Sequence, residues 1–304
     1  MKWLVTGCSG FVGTNIVNYL IQKNEEVIGI DIKKPKINNI KLFKFIKFDL
    51  SVRKGLKDYI NDVDYVINLA AIVSIPYSKK YPNKTKSTNV KIFRNILHNI
   101  NIKKTKCIIF ASSSAIYGDS LKNYEKKKIS NFFSAYAQSK YLNEIDAKNF
   151  YKKYKISLIG LRYFNLYGSF SNANSRYSSV IPKWINNLIK KKVIIINGDG
   201  NQSRDFVHVD DIVKINYMLA KNFGKIKTFK LFNIGSGKST SLKTLLNYLV
   251  KFSKIKKYKI KFRPSADFGV MESKANIKLF KQSFKFNFTK LDKGLKKTIQ
   301  FYER

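Results

Sequence analysis

The segment YAQSK, residues 136–140, places a phenol and an ammonium group four positions apart. The spacing of residues 134–154 predicts a helix, on which Tyr136 and Lys140 would share one face. An ammonium group beside a phenol favours the phenolate, which can act as a general base near neutral pH. The alternative is an ordinary exposed Tyr–Lys pair, because the chain holds 18 Tyr and 59 Lys and Arg. The segment therefore indicates a proton-transfer site if other groups converge on it.

Three serines, Ser112, Ser113 and Ser114, directly follow a predicted strand at Lys106–Ala111. Parallel sheets bind their ligands at the carboxyl ends of strands, so these hydroxyl groups stand where a substrate is expected. A serine hydroxyl in that position can share the substrate's proton with the phenol.

A glycine-rich loop, TGCSGFVG at Thr6–Gly13, follows a predicted strand and opens a predicted helix. Gly7 permits a tight turn, Gly10 lets the backbone approach a pyrophosphate, and Gly13 lets the helix pack closely on the strand. The phosphates would then lie at the helix N-terminus, where free N–H groups and the helix dipole favour anions. A plain structural turn is the alternative.

Asp31 strengthens the dinucleotide interpretation, because it ends the second predicted strand, 18 residues after Gly13. A carboxylate there accepts hydrogen bonds from a ribose diol and repels a 2′-phosphate, so NAD is favoured over NADP. Lys33 and Lys34 argue mildly the other way, since they can attract such a phosphate.

A second glycine loop, GSGKST at Gly235–Thr240, has the tail of an ATP-binding phosphate loop. The full pattern requires a further glycine where Phe232 stands, so ATP binding is not expected.

These loops must be positioned by alternating strands and helices. Strands are predicted at 2–6, 26–31, 42–48, 64–69, 106–111 and 157–162, with helices that include 89–100 and 134–154. This alternation predicts an α/β fold with a doubly wound parallel sheet of the Rossmann type. The regular alternation of strands and helices ends after Gly168, and Phe229–Ile234 is expected to form a late strand of the same sheet. The predicted domains are 1–168 joined by 198–235, which bind the dinucleotide, and a smaller C-terminal α/β lobe of 169–197 and 236–304.

The composition excludes several other classes of protein. The 304 residues are 44% hydrophobic, and the two cysteines and two histidines leave little for a disulfide scaffold or a metal site. No apolar run approaches the roughly 20 residues of a membrane span, and no secretory signal opens the chain, so a soluble cytoplasmic protein without bound metal is expected. The formal net charge is +40. Only 7 of the basic residues are Arg, which favours solvated lysines over a nucleic-acid surface.

Taken together, several motifs resemble the extended short-chain dehydrogenase/reductase family, in its sugar-nucleotide epimerase/dehydratase branch. They are TGCSGFVG, Asp31, Leu69-Ala70-Ala71, SSSAIYG at Ser112–Gly118, YAQSK, and RYFNLYG at Arg162–Gly168. The resemblance implies a catalytic set of Ser113, Tyr136 and Lys140. The residues that it implies for NAD are Gly7, Gly10, Phe11, Val12, Gly13, Asp31, Asp49, Leu50, Leu69, Ala70, Ala71, Asn89, Tyr136 and Lys140.

The segment GDGNQSRDFVHVDD at Gly198–Asp211 resembles the family's substrate-phosphate loop, which implies that Arg204 binds a nucleotide diphosphate. A salt bridge from Arg204 to Asp205 or Asp210 is the alternative. The residues that the resemblance implies for the substrate are Ser114, Asn165, Val180, Arg204 and Arg263.

The segment VIPKWI at Val180–Ile185 looks most like UDP-N-acetylglucosamine and UDP-glucose 4-epimerases. Dehydratases and decarboxylases of this branch carry an acid just after the catalytic Ser or Thr, whereas this chain has Ser114 and Ala115. The resemblance therefore implies NAD-dependent epimerisation of a UDP-hexose at C4 through a transient 4-keto intermediate, by a homodimer that serves polysaccharide biosynthesis. A 4-reductase, a dehydratase, or an epimerase of a dTDP-, CDP- or GDP-sugar is the alternative. A non-catalytic binder is disfavoured by the intact catalytic set.

Overall fold

The computed structural model describes residues 1–37, 41–118, 132–171, 179–253, 255, 257–264 and 270–304. Short β-branched and aromatic runs form its strands, as the pleated, half-buried surface of a sheet favours. The central sheet has the strand order β11-β6-β5-β4-β1-β2-β3. Its strands, in chain order, are β1 (Lys2–Thr6), β2 (Glu26–Asp31), β3 (Phe43–Lys47), β4 (Tyr65–Asn68), β5 (Cys107–Ser113), β6 (Ser157–Tyr163) and β11 (Phe229–Ile234).

Strand β1 lies in the middle of the sheet and pairs in parallel with β2 and β4, while β2 pairs in parallel with β3 and β4 with β5. The strand order reverses between β1 and β4, and such a switch point opens a crevice at the carboxyl ends of the strands. The predicted doubly wound parallel sheet is confirmed. Strand β5 extends two residues beyond its predicted end, so Ser112 and Ser113 lie within the strand rather than after it.

Helices connect these strands, and α1 and α4 bury apolar faces that include Ile16, Val17, Phe93 and Ile96. They are α1 (Phe11–Gln22), α2 (Lys57–Ile60), α3 (Ile75–Lys80), α4 (Pro82–Asn99), α5 (Ala135–Tyr154) and α7 (Val209–Phe223). Helices α4 and α5 pack against each other. The core between sheet and helices includes Leu4, Val66, Phe93, Ile108 and Phe110, all of them nearly inaccessible to solvent.

The remaining elements build a second, smaller core around Trp184, Ile196, Leu245 and Leu295. Its helices are α6 (Val180–Ile189), α8 (Leu242–Ser253), α9 (Lys278–Ser283) and α10 (Leu291–Tyr302). Its strands are β7 (Asn165–Tyr167), β8 (Ile194–Asn197), β9 (Ser203–Arg204), β10 (Phe206–His208), β12 (Thr240–Ser241) and β13 (Ile260–Arg263), which form two-stranded pairs β7-β10, β9-β12 and β8-β13.

The chain divides into two compact units. The first takes the described residues of Met1–Ile116, Lys128–Arg162 and Val213–Phe232, and the second those of Tyr117–Lys127, Tyr163–Ile212 and Asn233–Arg304. The predicted domain limits differ from these units in where the described residues 117–118, 163–168, 198–212 and 233–235 fall, and they stay a prediction. Among the described residues, no helix combines the length and apolarity that crossing a membrane requires.

Candidate active site

The glycine loop makes a turn so tight that side chains would not fit. Gly7 has a φ of +69° and its N–H donates to the carbonyl oxygen of Ile30, at 2.9 Å. A Cβ atom on Gly13 would lie 2.1 Å from the Gly7 carbonyl oxygen, so helix α1 can approach β1 this closely only with glycine at that position.

Helix α1 begins without a capping side chain. Gly10 is its N-cap, no side chain accepts a hydrogen bond from the first turn, and no acidic residue lies there. The first N–H groups, those of Phe11 and Val12 among them, and the positive end of the helix dipole are therefore left to an anionic ligand. This loop fits the pyrophosphate of a dinucleotide.

The Asp31 carboxylate lies beside this loop at the end of β2. One oxygen accepts from the Ser9 N–H and the other from the Lys33 N–H, each at 3.0 Å. Each oxygen retains an acceptor position that a ribose diol can use. Ser9 was not predicted, and it contributes through its backbone, which the sequence pattern cannot reveal.

The segment after β4 is braced by buried polar side chains. The Thr6 hydroxyl accepts from the N–H groups of Leu69 and Ala70, at 3.2 and 3.3 Å. The Asn89 side chain accepts from the Ile72 N–H at 2.7 Å and donates to the Ile72 carbonyl at 3.1 Å. These bonds hold residues 69–72, Ala71 included, in one conformation at the carboxyl edge of the sheet.

The other predicted dinucleotide residues, Asp49 and Leu50, follow β3. The exposed Asp49 carboxylate accepts from the Ser51 N–H at 2.9 Å, and the carbonyl of the buried Leu50 accepts from Asn95 on α4 at 2.9 Å.

Tyr136, Lys140 and Ser113 come together in the first unit. Tyr136 and Lys140 project from one face of α5, with the Lys140 ammonium 5.8 Å from the centre of the Tyr136 ring. The Lys140 side chain is 2% exposed and donates to the carbonyl of Ala111 on β5, at 2.8 Å. Ser113, the last residue of β5, acts on the phenol as a hydrogen-bonding neighbour that lowers the pKa of Tyr136. A phenol, a hydroxyl and an ammonium group thus converge at the end of β5, so the ordinary exposed pair is excluded.

The direction of the pKa shift of Tyr136 differs from the expectation. Burial raises the pKa of the phenol, and the hydrogen bond with Ser113 lowers it only partly. Burial also lowers the pKa of Lys140 to about 8. Desolvation therefore dominates the environment of the phenol, while the Lys140 ammonium group donates to a backbone carbonyl.

In the second unit, Arg204 on β9 is half-buried and has no acidic partner among the residues that the structure describes. One guanidinium nitrogen donates to the carbonyls of Ser203 and Met271, at 2.8 and 3.4 Å. The expected alternative, a salt bridge to Asp205 or Asp210, is wrong. Asp205 accepts from backbone groups instead, and Asp210 lies 3.0 Å from the ammonium group of Lys297.

The GSGKST loop binds the carboxylate of Asp205. This fully buried side chain accepts from the N–H and hydroxyl of Ser236, both at 2.7 Å, and from the N–H groups of Gly237 and Ala275, at 2.9 and 3.0 Å. The loop's donors are therefore satisfied by an internal anion, in agreement with the expectation that the loop binds no ATP.

The other predicted substrate residues fall in both units. Asn165 lies on β7, and its amide donates to the Asp205 carbonyl at 3.1 Å. Val180 opens α6, whose N-terminus also lacks a capping side chain and an acidic first turn. Arg263 ends the exposed strand β13. Ser114 directly follows β5 in the first unit.

Comparison with known proteins decides the family. Residues 3–235 match the NAD dependent epimerase/dehydratase family. The chain belongs to this family. The resemblance predicted from the motifs is thereby confirmed, and with it the expected cofactor class, NAD.

Several similar proteins are named as 4-epimerases of UDP-glucose or UDP-N-acetylglucosamine. A putative UDP-glucose 4-epimerase of Methanocaldococcus jannaschii is 36% identical over 271 residues, which cover 86% of this chain and 84% of that protein. The structure of UDP-N-acetylglucosamine 4-epimerase from Methanobrevibacter ruminantium, in complex with UDP-N-acetylmuramic acid, is 30% identical with a TM-score of 0.87, and the match covers 99% and 98% of the two chains. The Thermotoga maritima UDP-glucose 4-epimerase, with UDP-glucose, is 27% identical with a TM-score of 0.89 and coverage of 100% and 99%.

The sequence motifs of this epimerase/dehydratase chain did not predict one buried network of three polar residues. Ser112, Glu144 and Arg162 form a buried network directly behind Tyr136 and Lys140. A usable signal was present, because Glu144 stands four residues after Lys140 on the same helix face and Arg162 interrupts an apolar strand. Among the described residues, no three His, Cys, Asp or Glu side chains group as metal ligands would.

Proposed function

We propose that this protein is an NAD-dependent 4-epimerase of a UDP-hexose, acting on UDP-N-acetylglucosamine and UDP-N-acetylgalactosamine or on UDP-glucose and UDP-galactose. The observation that carries the proposal is the group formed by Ser113, Tyr136 and Lys140 at the carboxyl end of β5. Its support includes the relatives named as 4-epimerases of UDP-glucose and UDP-N-acetylglucosamine.

In this proposal Tyr136 takes the proton of the C4 hydroxyl and later returns it. NAD, when bound, supplies a hydride acceptor and a positive charge. Because burial raises the pKa of Tyr136, the phenol is protonated at neutral pH in the free protein. Ser113 holds the phenol by a hydrogen bond and stabilises its deprotonated form. Lys140, fixed on the Ala111 carbonyl, keeps an ammonium group near the ring.

In the second unit, we assign Arg204 and Asn165 to the substrate diphosphate. A guanidinium group binds phosphate oxygens through directional, charge-assisted hydrogen bonds. Arg204 has no carboxylate partner in the described part of the chain, and its side chain keeps donors for an anion. A substrate that is held by its diphosphate can expose either face of a 4-keto sugar to reduction.

The residues after Ser113 favour epimerisation over dehydration. Elimination of water requires a base that removes a proton from the sugar ring, and an Asp or Glu next to the catalytic serine could supply it. Ser114 and Ala115 occupy those positions. Oxidation and reduction at one carbon require no such second base.

The test is incubation of the purified protein and NAD with a panel of nucleotide sugars, with products identified by NMR. We expect the C4 epimer of a UDP-hexose, without net formation of NADH. In Tyr136→Phe, turnover is expected to fall by about 100-fold or more, because general acid–base catalysis is lost, while NAD stays bound. A product that lacks water, net consumption of NADH, or full activity in Tyr136→Phe would contradict the proposal.

We also propose that the protein is a cytoplasmic homodimer that serves polysaccharide biosynthesis. The pair of helices α4 and α5 carries the exposed side chain of Ile145 and an ion pair between Arg94 and Asp146, at 2.8 Å. These helices correspond to the dimer faces that the family resemblance implies. Light scattering at micromolar concentration is expected to give twice the mass of one chain, and the mass of a single chain would contradict the proposal.

A further inference from the structure

A buried ion pair lies behind the candidate catalytic residues. Glu144 on α5 and Arg162 on β6 are 4% and 2% exposed, and two guanidinium nitrogens donate to the two carboxylate oxygens at 2.8 and 2.6 Å. The hydroxyl of the buried Ser112 on β5 donates to the same carboxylate, at 2.6 Å. One carboxylate therefore joins a helix to two adjacent strands.

This network continues a regular series of contacts between α5 and the end of β5. Tyr136, Lys140 and Glu144 follow one another at four-residue intervals, so they share one face of the helix. Lys140 donates to the Ala111 carbonyl, Glu144 accepts from the Ser112 hydroxyl, and Ser113, the next residue of β5, is the neighbour that lowers the pKa of the Tyr136 phenol. A shift of the helix along the strand would disturb all three contacts together.

The pairing with Arg162 also separates Glu144 from Lys140. A carboxylate one helical turn from an ammonium group on the same face attracts it. Here Arg162 satisfies both oxygens of Glu144, and the Lys140 ammonium group donates to Ala111 instead. The ion pair thus keeps Lys140 directed to the end of β5, where Tyr136 and Ser113 lie.

We propose that Glu144 and Arg162 are positioning residues of the reaction, which fix helix α5 on β5 and β6 and so set the places of Tyr136 and Lys140. The inference rests on the proposed function for its kinetic readout. Its second readout, NAD affinity, does not depend on the substrate, because Lys140 and residues 69–71 after β4 are assigned to the cofactor.

The decisive variant replaces both partners, Glu144→Met with Arg162→Met. Apolar side chains of similar volume often replace a buried ion pair without loss of stability, so a folded protein is expected. Displacement of reacting groups by about 1 Å can cost about 100-fold in rate. We therefore expect kcat to fall by about 10- to 100-fold with KM for the sugar within about 3-fold, and NAD affinity to fall by about 10-fold.

Two further variants keep the proposal falsifiable if the double variant does not fold. Glu144→Gln retains the shape of the side chain, and Ser112→Ala removes a single hydrogen bond. Both are expected to lower kcat, Ser112→Ala by the smaller factor. The matched control is Glu26→Gln, the same chemical change at an exposed position of β2, which is expected to leave kcat and NAD affinity unchanged.

The outcomes separate positioning from a purely structural role. A folded double or Glu144→Gln variant with wild-type kcat and NAD affinity, but a changed melting temperature, would overturn the proposal. If the wild type turns over no nucleotide sugar, the proposed function fails. The NAD titration then decides this inference alone: a loss in the Glu144 variants supports it, and equal affinity overturns it.

Discussion

Within the described part of the chain, no carboxylate neutralises the charge of Arg204. Its guanidinium is half-buried, and burial lowers its pKa, yet the two groups to which it donates are backbone carbonyls. Partial burial of an unpaired charge costs free energy, which an anionic ligand can recover. At the scale of single residues, this unmatched charge points to a phosphate on the second unit.

Arg204→Ala is expected to raise KM for the UDP-hexose by about 10- to 100-fold, since hydrogen bonds to charged groups contribute about 1.5–3 kcal/mol. The unfolding free energy should change little, because no buried acidic partner is left behind. Initial rates over a range of substrate concentrations measure the effect. Lys190→Ala, at the exposed end of α6, is the control; equal effects of the two substitutions would place the diphosphate elsewhere.

At the scale of elements, the turn between β1 and α1 contains two glycines with different constraints. A Cβ on Gly13 would lie 2.1 Å from the Gly7 carbonyl oxygen and 2.8 Å from the Cys8 Cα, so backbone would have to move. A Cβ on Gly10 would meet only the Gly7 carbonyl oxygen, at 3.2 Å, and the φ of Gly10, −76°, is open to alanine. Gly13 therefore serves packing, and Gly10 is free to serve a ligand.

This difference predicts two phenotypes. Gly13→Ala is expected to lower the unfolding free energy by about 2–3 kcal/mol, as overpacking does. Gly10→Ala should cost no more than about 1 kcal/mol, the range for a changed N-cap, yet lower NAD affinity by about 10-fold, because a methyl group would stand where the pyrophosphate is expected. Denaturant unfolding and NAD titration measure the two effects. Unchanged NAD affinity in Gly10→Ala would remove this loop from the cofactor site.

At the scale of the whole molecule, one carboxylate joins distant parts of the first unit. Glu25 lies between α1 and β2, 2.8 Å from the ammonium group of Lys221 on α7 and 3.0 Å from the N-terminal amine. It also accepts from the Tyr217 hydroxyl at 3.0 Å. Burial acts to raise the pKa of Glu25, but these partners prevail and hold it at about 2, below the ordinary 4.5.

A carboxylate with a lowered pKa stabilises the folded state above its unfolded pKa and loses that contribution as the pH falls through its folded pKa. Glu25 should therefore stabilise the protein fully above pH 4.5, by about 3 kcal/mol, and lose this contribution between pH 4.5 and about 2. Glu25→Gln is expected to be less stable at pH 7 and less sensitive to acid in that range. Urea unfolding from pH 7 to pH 3 measures both effects, with the exposed Glu26→Gln as control. Parallel pH curves for wild type and Glu25→Gln would show that the ion pairs contribute nothing.

Local patterns predicted much of this architecture. Strands β1, β2 and β11 have their predicted limits, because each is a short apolar run closed by polar or glycine residues. Contacts between remote parts of the chain could not be predicted in this way. Nothing near Asp205 in the sequence identifies Ser236 and Ala275 as its partners, since they meet only after folding. For the same reason, the effect of burial on the pKa of Tyr136 could not be predicted from local patterns.

The carboxylate of Asp205 has a consequence for how glycine loops are interpreted. Two of the chain's glycine-rich loops, TGCSGFVG and GSGKST, have backbone N–H groups that an anion can bind. In one, the acceptor is expected from solution; in the other, the host chain contributes it. The sequence of a glycine loop thus locates the N–H donors. Whether they bind an external anion or a carboxylate of the same chain depends on a distant residue, here Asp205, 31 positions before Ser236.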